Sequence, residues 1–246
     1  MKNVVGIIPA RLNSTRLPQK LLLEKNHKTI LQHTYESAQR ANSLSEIIIA
    51  TDSTQIQNAV GQFGGRCEMT GEHPSGTDRI AEVTRRCLHD ADVIINIQAD
   101  EPDIAATNID LLAEAMKDYQ SAEMASLAVR IQDIATLGNP SCTKVVCNSE
   151  GAALYFSRSL IPYARDIDPA SLLNSHSPWL LHIGVYAYRR EFLMRFTEAA
   201  PSPLEQLEKL EQLRALEMGA RIQILTVDSH AGGIDTQDDY ENWLRR

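Results

Sequence analysis

The first loop of the chain carries three cations and no acid. Arg11, Arg16 and Lys20 lie in "PARLNSTRLPQK", directly after the apolar run "VVGII", in a chain that has 24 Lys+Arg against 32 Asp+Glu. The loop matches neither G-x-G-x-x-G nor G-x-x-x-x-G-K-[ST] and contains no glycine, so it would hold a phosphate by side-chain charge. A solvated basic loop remains the alternative interpretation.

Acidic side chains that could bind a metal occur at two other places. "DVIINIQADEP" has Gln98, Asp100 and Glu101 at the end of a buried strand, and "GGIDTQDD" has Asp235 at another junction between a strand and a helix. Mg²⁺ prefers oxygen ligands and often shares them with substrate phosphates. Asp235 could equally cap the following helix, and spacing alone does not show that Asp100 and Asp235 converge.

Small residues precede a helix in "PSGTDRIAEV". Ser75, Gly76 and Thr77 would let the backbone approach a planar base, and Arg79 in the first helical turn could reach a negatively charged substrate. Thr77 could instead be no more than a helix cap. "ATDS" has the same ambiguity, because Asp52 or the serine after it would cap the next helix.

Three polar residues of the second half have weaker signals. His182 lies on the polar face of an alternating strand, where a half-buried structural histidine is the more common case. Glu211 and Gln212 lie in a leucine-rich helical pattern that predicts both on the solvent face, with Arg214 as an i, i+3 partner for Glu211. The pattern alone therefore does not single them out.

A parallel α/β architecture would bring these segments together. Short β-branched runs ("VVGII", "EIIIA" and "DVIINI") alternate with helical patterns over residues 29–41, 54–63, 77–87 and 108–116. Continuous apolar strands separated by helices predict a mostly parallel sheet covered on both faces. Ligands of such sheets bind beyond the carboxyl ends of the strands. Pro9 has no N–H and is expected to end the first strand.

The second half of the chain is less regular. "TKVVCN" and "AALYFS" are predicted strands, and the polar segment 166–178 could be a flap or an insertion. "HIGVYAY" alternates, so its even-numbered residues form a polar-aromatic face. Leucines at every third position over 204–216 predict one helix with an apolar stripe. "RIQILTV" and a helix near "DTQDDYENWL" close a chain whose 246 residues predict one domain.

Composition excludes several classes of function. A net charge of −8 argues against binding to nucleic acid or a membrane surface, because both need clustered positive charge. Cys67, Cys87, Cys142 and Cys147 form no C-x-x-C pair and no zinc-ligand spacing, so we expect reduced thiols. No apolar run approaches the length of a signal peptide core or a transmembrane helix, and we therefore expect a cytoplasmic protein.

Seven motifs carry a family resemblance: "IIPARLNSTRLPQK", "SGTDR", "QADEP", "ALYFSR", "HIGVYAY", "PSPLEQLEKLEQLR" and "GIDTQDD". In this order they resemble the 3-deoxy-manno-octulosonate (Kdo) cytidylyltransferases, or CMP-Kdo synthetases. The resemblance implies a single domain, 1–246, with a three-layer α/β/α Rossmann-like nucleotidyltransferase fold and a mostly parallel mixed sheet. It implies Mg²⁺-dependent transfer of CMP from CTP to the anomeric hydroxyl of Kdo for lipopolysaccharide biosynthesis. It also implies a homodimer, with residues 140–200 contributing to the sugar site and the dimer contact.

The resemblance assigns roles to individual residues as well. Asp100 and Asp235 would hold Mg²⁺, and these carboxylates would act in catalysis together with Arg11, Arg16 and Lys20. The residues expected to bind CTP are Pro9, Ala10, Arg11, Arg16, Lys20, Thr51, Asp52, Ser75, Gly76, Thr77 and Gln98. Those expected to bind the sugar acid are Arg79, Gln98, His182, Tyr186, Glu211 and Gln212.

The chain departs from the family pattern where Gln19, His27 and Ala99 replace glycines. Ala99 adds a Cβ beside Asp100 and would be strained if its φ were positive. These departures leave open a modified sugar such as 8-amino-Kdo, a sialic-acid cytidylyltransferase, or a nucleotide-binding regulator that has lost catalysis. "HIGVYAY" and "EQLR" favour Kdo, and the retained pair of aspartates argues against the regulator.

Overall fold

The computed structural model describes residues 3–174 and 176–246. The strands are β1 (Val4–Ala10), β2 (Glu24–Lys25), β3 (Lys28–Thr29), β4 (Glu46–Thr51), β5 (Arg66–Met69), β6 (Val93–Asn96), β7 (Met124–Arg130), β8 (Lys144–Cys147), β9 (Ala153–Ser157), β10 (Leu180–Arg189) and β11 (Ile222–Val227). The α-helices are α1 (Ile30–Ala38), α2 (Thr54–Gln62), α3 (Gly76–Cys87), α4 (Ala106–Asp118), α5 (Ile134–Gly138), α6 (Arg190–Glu198), α7 (Pro203–Glu208), α8 (Gln212–Glu217) and α9 (Gln237–Arg245). Within the described residues, none of these helices has the length and apolar character needed to span a bilayer.

A nine-stranded mixed sheet forms the centre of the part of the chain that the structure describes. Its main path has the order β11-β7-β10-β6-β1-β4-β5, and β8 and β9 extend it beside β10. β10 is antiparallel to β6 and β7, whereas the other neighbours on this path are parallel. The prediction of an α/β fold with a mostly parallel mixed sheet is confirmed.

Alternation along the strands divides the core between the two faces of the sheet. Ile95 packs in one buried cluster with Leu112 of α4, and its neighbour Ile94 packs in a second cluster with Val83 of α3 and Phe196 of α6. Successive side chains of a strand point to opposite faces, and each buried aliphatic side chain contributes about 1.5 to 3 kcal/mol. Helices therefore cover both faces, which is the expected three-layer arrangement.

The first strand continues through Pro9, contrary to the sequence prediction. Ile7 O accepts a hydrogen bond from Ile97 N at 2.9 Å. Every second residue of β1, counted from Ile7, therefore directs its backbone N–H and C=O groups toward β6. Pro9 faces the same way, but β6 ends at Asn96. The missing N–H therefore breaks no ladder hydrogen bond, and β1 extends to Ala10.

The leucine-rich segment forms two short helices rather than the single helix predicted. A three-residue repeat drifts around a helix of about 3.6 residues per turn, so these leucines cannot share one face. α7 ends where Lys209 adopts the left-handed conformation, with φ 54° and ψ 46°, and α8 starts at Gln212. As a result Leu213 is fully buried, whereas Leu207 is 81% exposed.

Loops from both halves of the chain meet at the carboxyl edge of the parallel strands. β1, β4 and β6 end there and lead into the segments that contain Arg11, Asp52 and Asp100. The segment before α9 returns to the same edge, where Ile234 N donates to Asp100 O at 2.9 Å. Because β10 runs antiparallel to β6, its first half, with His182, also lies at this edge.

Candidate active site

Lys20 bridges the two acidic positions. Its Nζ lies 2.5 Å from Asp100 Oδ2 and 2.6 Å from Asp235 Oδ1, and Arg16 Nη2 lies 2.9 Å from Asp235 Oδ2. Partial burial disfavours the charged amine, but the two carboxylates outweigh it and raise the pKa of Lys20 above its ordinary value. Two aspartates far apart in sequence thus converge on one cation, which answers the question that their spacing left open.

The local backbone directs Lys20 toward this point. Gln19 adopts the left-handed conformation, and Lys20 begins a short 3-10 turn in which Leu21 is buried. Leu17, also buried, accepts a hydrogen bond at its carbonyl from Lys20 N at 3.2 Å. The two leucines fasten the loop to the core, so the Lys20 side chain is only 13% exposed.

Asp235 is available for this cluster because its neighbour caps the helix. Thr236 Oγ1 accepts from Asp239 N, and the Asp239 carboxylate accepts from Thr236 N at 2.9 Å, forming a capping box for α9. The alternative interpretation of Asp235 as the cap is therefore wrong. Asp239 also accepts from Asp235 N at 3.1 Å, which fixes the backbone at the acidic position.

Packing of the last helix holds the Asp235 segment beside the N-terminal loop. Lys25 Nζ donates to Trp243 O at 2.7 Å and lies 4.9 Å from the centroid of the Trp243 ring. The Tyr240 hydroxyl donates to Glu24 O at 2.7 Å. α9 is thereby attached to the β2–β3 hairpin that follows Lys20 directly in sequence.

An open cavity of about 340 Å³ lies beside the ion pairs, within the size range of small-molecule sites. Residues from the first loop, β1, α3 and the segment after β6 line it, among them Arg11, Lys20, Gly76, Gln98 and Asp100. A Cβ at position 76 would lie 3.2 Å from Pro9 Cγ, so glycine permits the close approach of α3 to β1. A second cavity of about 620 Å³ shares Arg11 with the first.

The residues predicted to approach the base lie at the start of α3 and the end of β4. Ser75, rather than Thr77, caps α3, because its hydroxyl accepts from Asp78 N at 3.0 Å. Thr51 is fully buried, and its carbonyl accepts from Thr70 N at 2.8 Å. The structure therefore leaves the Thr77 hydroxyl for a contact outside the helix cap.

Arg79 is buried in a pair with Asp52. The guanidinium is 1% exposed and donates from Nη2 to Asp52 Oδ2 at 2.7 Å and from Nη1 to Thr70 Oγ1 at 2.6 Å. Ser53 caps α2, so the Asp52 carboxylate is free for this pair. Both residues line the larger cavity. Two of the Arg79 donors already bond to the protein, and sugar binding by Arg79 stays a prediction.

A series of rings lines the polar face of β10. The ring centroids are 5.3 Å apart for His182 and Tyr186, and 5.9 Å apart for Tyr186 and Tyr188. Burial lowers the pKa of His182 to about 3 and raises the pKa of Tyr186, so both are neutral near neutral pH. Gln98 Nε2 donates to Gly184 O at 2.8 Å, joining the end of β6 to this face. The predicted polar-aromatic face is confirmed.

Gln212 is buried and Glu211 is half-buried against α3, so the prediction of a solvent face is wrong. The chain reverses at Lys209, and Gln212 is 4% exposed. Thr77 Oγ1 donates to Glu211 Oε2 at 2.6 Å, and Arg214 Nη2 donates to Glu211 Oε1 at 3.0 Å. Burial raises the pKa of Glu211, while Thr77 and Arg214 act in the opposite direction. The carboxylate links α8 to the start of α3.

Two of the three departures from the family pattern occupy left-handed backbone. φ is 52° at Gln19 and 62° at His27, a region that favours glycine. Ala99 is absent from the positive-φ positions of the described residues and is 7% exposed. The backbone strain considered for Ala99 is therefore absent. The conformational energy of a side chain at positive φ applies instead to Gln19 and His27.

A mixed α/β/α sheet with cations and paired carboxylates at its carboxyl edge is the arrangement of a nucleotidyltransferase, and a family model described as cytidylyltransferase matches residues 5–222. The 3-deoxy-manno-octulosonate cytidylyltransferase of Rhodopirellula baltica is 44% identical over 98% of this chain and 96% of its own. That of Geobacter sulfurreducens is 43% identical over 99% of each chain. A solved structure of CMP:2-keto-3-deoxy-manno-octonic acid synthetase complexed with CTP has a TM-score of 0.92 at 39% identity, covering 99% of this chain and 98% of that one. The chain belongs to the 3-deoxy-manno-octulosonate cytidylyltransferase family.

Asp100 and Asp235 have the donor chemistry that a divalent cation such as Mg²⁺ requires. Their oxygens already meet at one point, which the Lys20 ammonium occupies, and Mg²⁺ takes its remaining ligands from water and phosphate. Among the described residues, no group of three or more His, Cys, Asp or Glu forms a closed metal site. Glu101 is 6% exposed, and burial raises the pKa of its carboxyl to about 8.

Proposed function

We propose that this protein transfers CMP from CTP to the anomeric C2 hydroxyl of Kdo and releases pyrophosphate. The observation that carries the proposal is the convergence of Arg16, Lys20, Asp100 and Asp235 beside a cavity at the carboxyl edge of the sheet. The names of the similar proteins, and the CTP bound in the similar solved structure, support the choice of both substrates.

In the proposed reaction, the C2 hydroxyl oxygen forms a bond to the α-phosphorus while the bond to the pyrophosphate oxygen breaks. Arg11, Arg16 and Lys20 would neutralise the triphosphate and the departing pyrophosphate, since positioning and electrostatics carry most of the rate in phosphoryl transfer. The hydroxyl proton passes to solvent. His182, with a pKa near 3, is too weak a base to retain it.

Asp100 and Asp235 would hold Mg²⁺, which when bound supplies charge neutralisation at the α-phosphate and lowers the pKa of a coordinated hydroxyl. Lys20 now shares both carboxylates, so its ammonium would have to give up at least one of them to a bound metal ion. The same side chain would then be available to neutralise the triphosphate.

The sugar acid would lie against the polar-aromatic face of β10. Tyr186 and His182 present neutral rings there, and the half-buried Glu211 carboxylate offers an acceptor for sugar hydroxyls. We further propose that residues 140–200 contribute to this sugar site and to a homodimer contact. The enzyme would supply lipopolysaccharide synthesis from the cytoplasm, a location that its four free cysteines support.

The test is to incubate the purified protein with CTP, Mg²⁺ and either Kdo, 8-amino-Kdo or N-acetylneuraminate, and to measure pyrophosphate. We expect Mg²⁺-dependent release with Kdo and none after chelation of the metal. If none of the three sugar acids leads to pyrophosphate release, the enzymatic function is refuted and a nucleotide-binding regulator is favoured. Release with N-acetylneuraminate alone would refute the choice of Kdo.

A further inference from the structure

Asn96 is a buried amide beside the site to which the proposed reaction gives no role. Its side chain is 3% exposed, and no group of residues 3–174 or 176–246 donates a hydrogen bond to its Oδ1. Buried acceptors in folded proteins nearly always have a donor, because an unpaired one loses its hydration without compensation. The missing donor therefore points to a group that arrives with a ligand.

The register of the sheet determines the face on which Asn96 lies. Asn96 stands opposite Tyr186 of β10, and residues directly opposite each other in an antiparallel pair have their side chains on the same face. Alternation along β6 agrees, because Ile95 packs in the cluster on one face and Ile94 in the cluster that Tyr186 contacts. The amide therefore belongs to the polar-aromatic face.

Polar character on this face begins at Asn96 and increases toward the carboxyl edge. Ile94 on β6 and Ile7 on β1 share its face and are fully buried aliphatic residues. Gln98, two residues further along, donates to Gly184 O at 2.8 Å. Asn96 thus lies where the apolar core gives way to the part of the site predicted to hold the sugar.

We propose that Asn96 is a sugar-binding residue whose Oδ1 accepts a hydrogen bond from a hydroxyl of the sugar acid. The inference rests on the proposed function and adds a specificity-determining residue to it. The carboxylate of the sugar acid has no proton to donate, and the base is expected near Pro9 and Gly76. The sugar hydroxyls are therefore the donors that suit this acceptor. A site with a buried acceptor discriminates against sugars that lack the matching hydroxyl, because it is then left unpaired.

The test compares Asn96→Leu, which keeps a similar volume without an acceptor, with Asn96→Ala, which serves if leucine disturbs folding. We expect both variants to raise the KM for Kdo about tenfold while the KM for CTP stays within about twofold. Among mono-deoxy analogues of Kdo, the one that lacks the recognised hydroxyl should have the same KM with wild type and with Asn96→Leu. The melting temperature of ligand-free Asn96→Leu should equal or exceed that of wild type.

Gln223→Leu is the matched control. Gln223 is 2% exposed and its Oε1 is also without a donor among the described residues, but it lies on β11. Gln223 shares a face of the sheet with Leu225 and Val227, and this face is opposite to the one on which Asn96 lies. We therefore expect Gln223→Leu to leave the KM values for Kdo and CTP unchanged. An unchanged KM for Kdo in both Asn96 variants, or an equal rise for both substrates, would overturn the inference. Wild type that releases no pyrophosphate with Kdo would instead refute the proposed function, and the inference with it.

Discussion

The Lys20 ammonium lies between two carboxylates, and removal of either carboxylate leaves the cluster with excess positive charge. We predict that Asp100→Asn, which keeps the shape and removes the charge, lowers kcat by about 10²-fold or more because it removes a proposed ligand of Mg²⁺. Stability should fall by about 1.5 to 3 kcal/mol, because the Lys20 and Asp100 side chains are only 13% and 22% exposed and Lys20 keeps Asp235 as its remaining charged partner. Pyrophosphate release at increasing Mg²⁺ and the melting temperature are the measurements.

Asp103→Asn is the control for this prediction. Asp103 lies three residues further along and pairs at the surface with Arg246 at 3.7 Å, so its substitution should leave turnover unchanged. Mg²⁺-dependent turnover close to wild type in Asp100→Asn would mean that the metal ligand lies elsewhere.

The backbone at Gln19 gives a second prediction about a single residue. A side chain at φ 52° and ψ 29° costs about 1 kcal/mol relative to glycine, so Gln19→Gly should raise the melting temperature by roughly 2 to 4 °C. Gln39→Gly is the matched control, because Gln39 has φ −61° and ψ −18° and should lose stability when its side chain is removed. Thermal unfolding of both variants checks the sign, and equal destabilisation of both would contradict the assignment.

Among the elements, α8 brings Glu211 into the site, and Arg214 on the same helix holds it there. The Arg214 guanidinium lies 4.2 Å from the Phe196 ring centroid, donates to Ala199 O at 2.9 Å and has Nε 3.2 Å from Glu205 Oε2. In the part of the chain that the structure describes, its hydrogen bonds and ion pairs join Arg214 to Ala199, Glu205 and Glu211, none of which is predicted to bind CTP. We regard it as a positioning residue that acts through Glu211.

Substitution of Arg214 should change the pH profile of sugar use. The pKa of Glu211 is already raised by burial, and Arg214 lowers it, so Arg214→Gln should raise it further. The ionisable or hydrogen-bonding groups that face Glu211 are Ser75, Thr77 and Asp78 on the α3 side, Tyr186 and Tyr188 on β10, and Arg214 itself. If ionised Glu211 binds the sugar, the acid limb of kcat/KM for Kdo moves to higher pH in Arg214→Gln and less in Arg214→Lys. If Arg214→Gln has a lower melting temperature but an unchanged acid limb of kcat/KM for Kdo, the role of Arg214 is structural only.

How much the sequence predicts differs between elements for physical reasons. The alternation of β10 was predictable because the period of a strand is local, and the first strand, β1, exceeded its predicted end at Pro9 by only one residue. The break at Lys209 was not predictable from leucine spacing, since a left-handed lysine has no sequence signal. Lys25 contacts Trp243, and Glu211 accepts a hydrogen bond from Thr77, although the segments in each pair share no sequence motif. Such tertiary contacts decide which polar residues are buried, and a single sequence does not record them.

At the scale of the whole molecule, the second half leaves large apolar side chains in solvent. The exposed fractions are 61% for Leu154, 82% for Tyr163, 51% for Ile167 and 81% for Leu207. Glu208, next to Leu207, accepts hydrogen bonds from Ser157 Oγ at 2.7 Å and from the backbone N of residue 158 at 3.0 Å, so the end of α7 lies against the end of β9. Leu154 and Leu207 therefore lie on neighbouring elements, and large exposed apolar side chains of this kind are typical of interfaces between subunits.

We therefore predict that the protein is a homodimer and that Leu207→Glu dissociates it. A buried charge at a two-fold interface is opposed by its own symmetry copy, and each loses hydration without a partner. The monomer should keep its melting temperature within a few degrees, because Leu207 contributes little to the core of its own chain. Light scattering after gel filtration at micromolar concentrations measures the mass. Leu244→Glu on α9, where the leucine is 42% exposed, should leave the dimer intact. A wild type that elutes as a monomer would contradict the predicted homodimer. An unaltered dimer in Leu207→Glu would contradict this interface, because the introduced carboxylate would then remain in solvent.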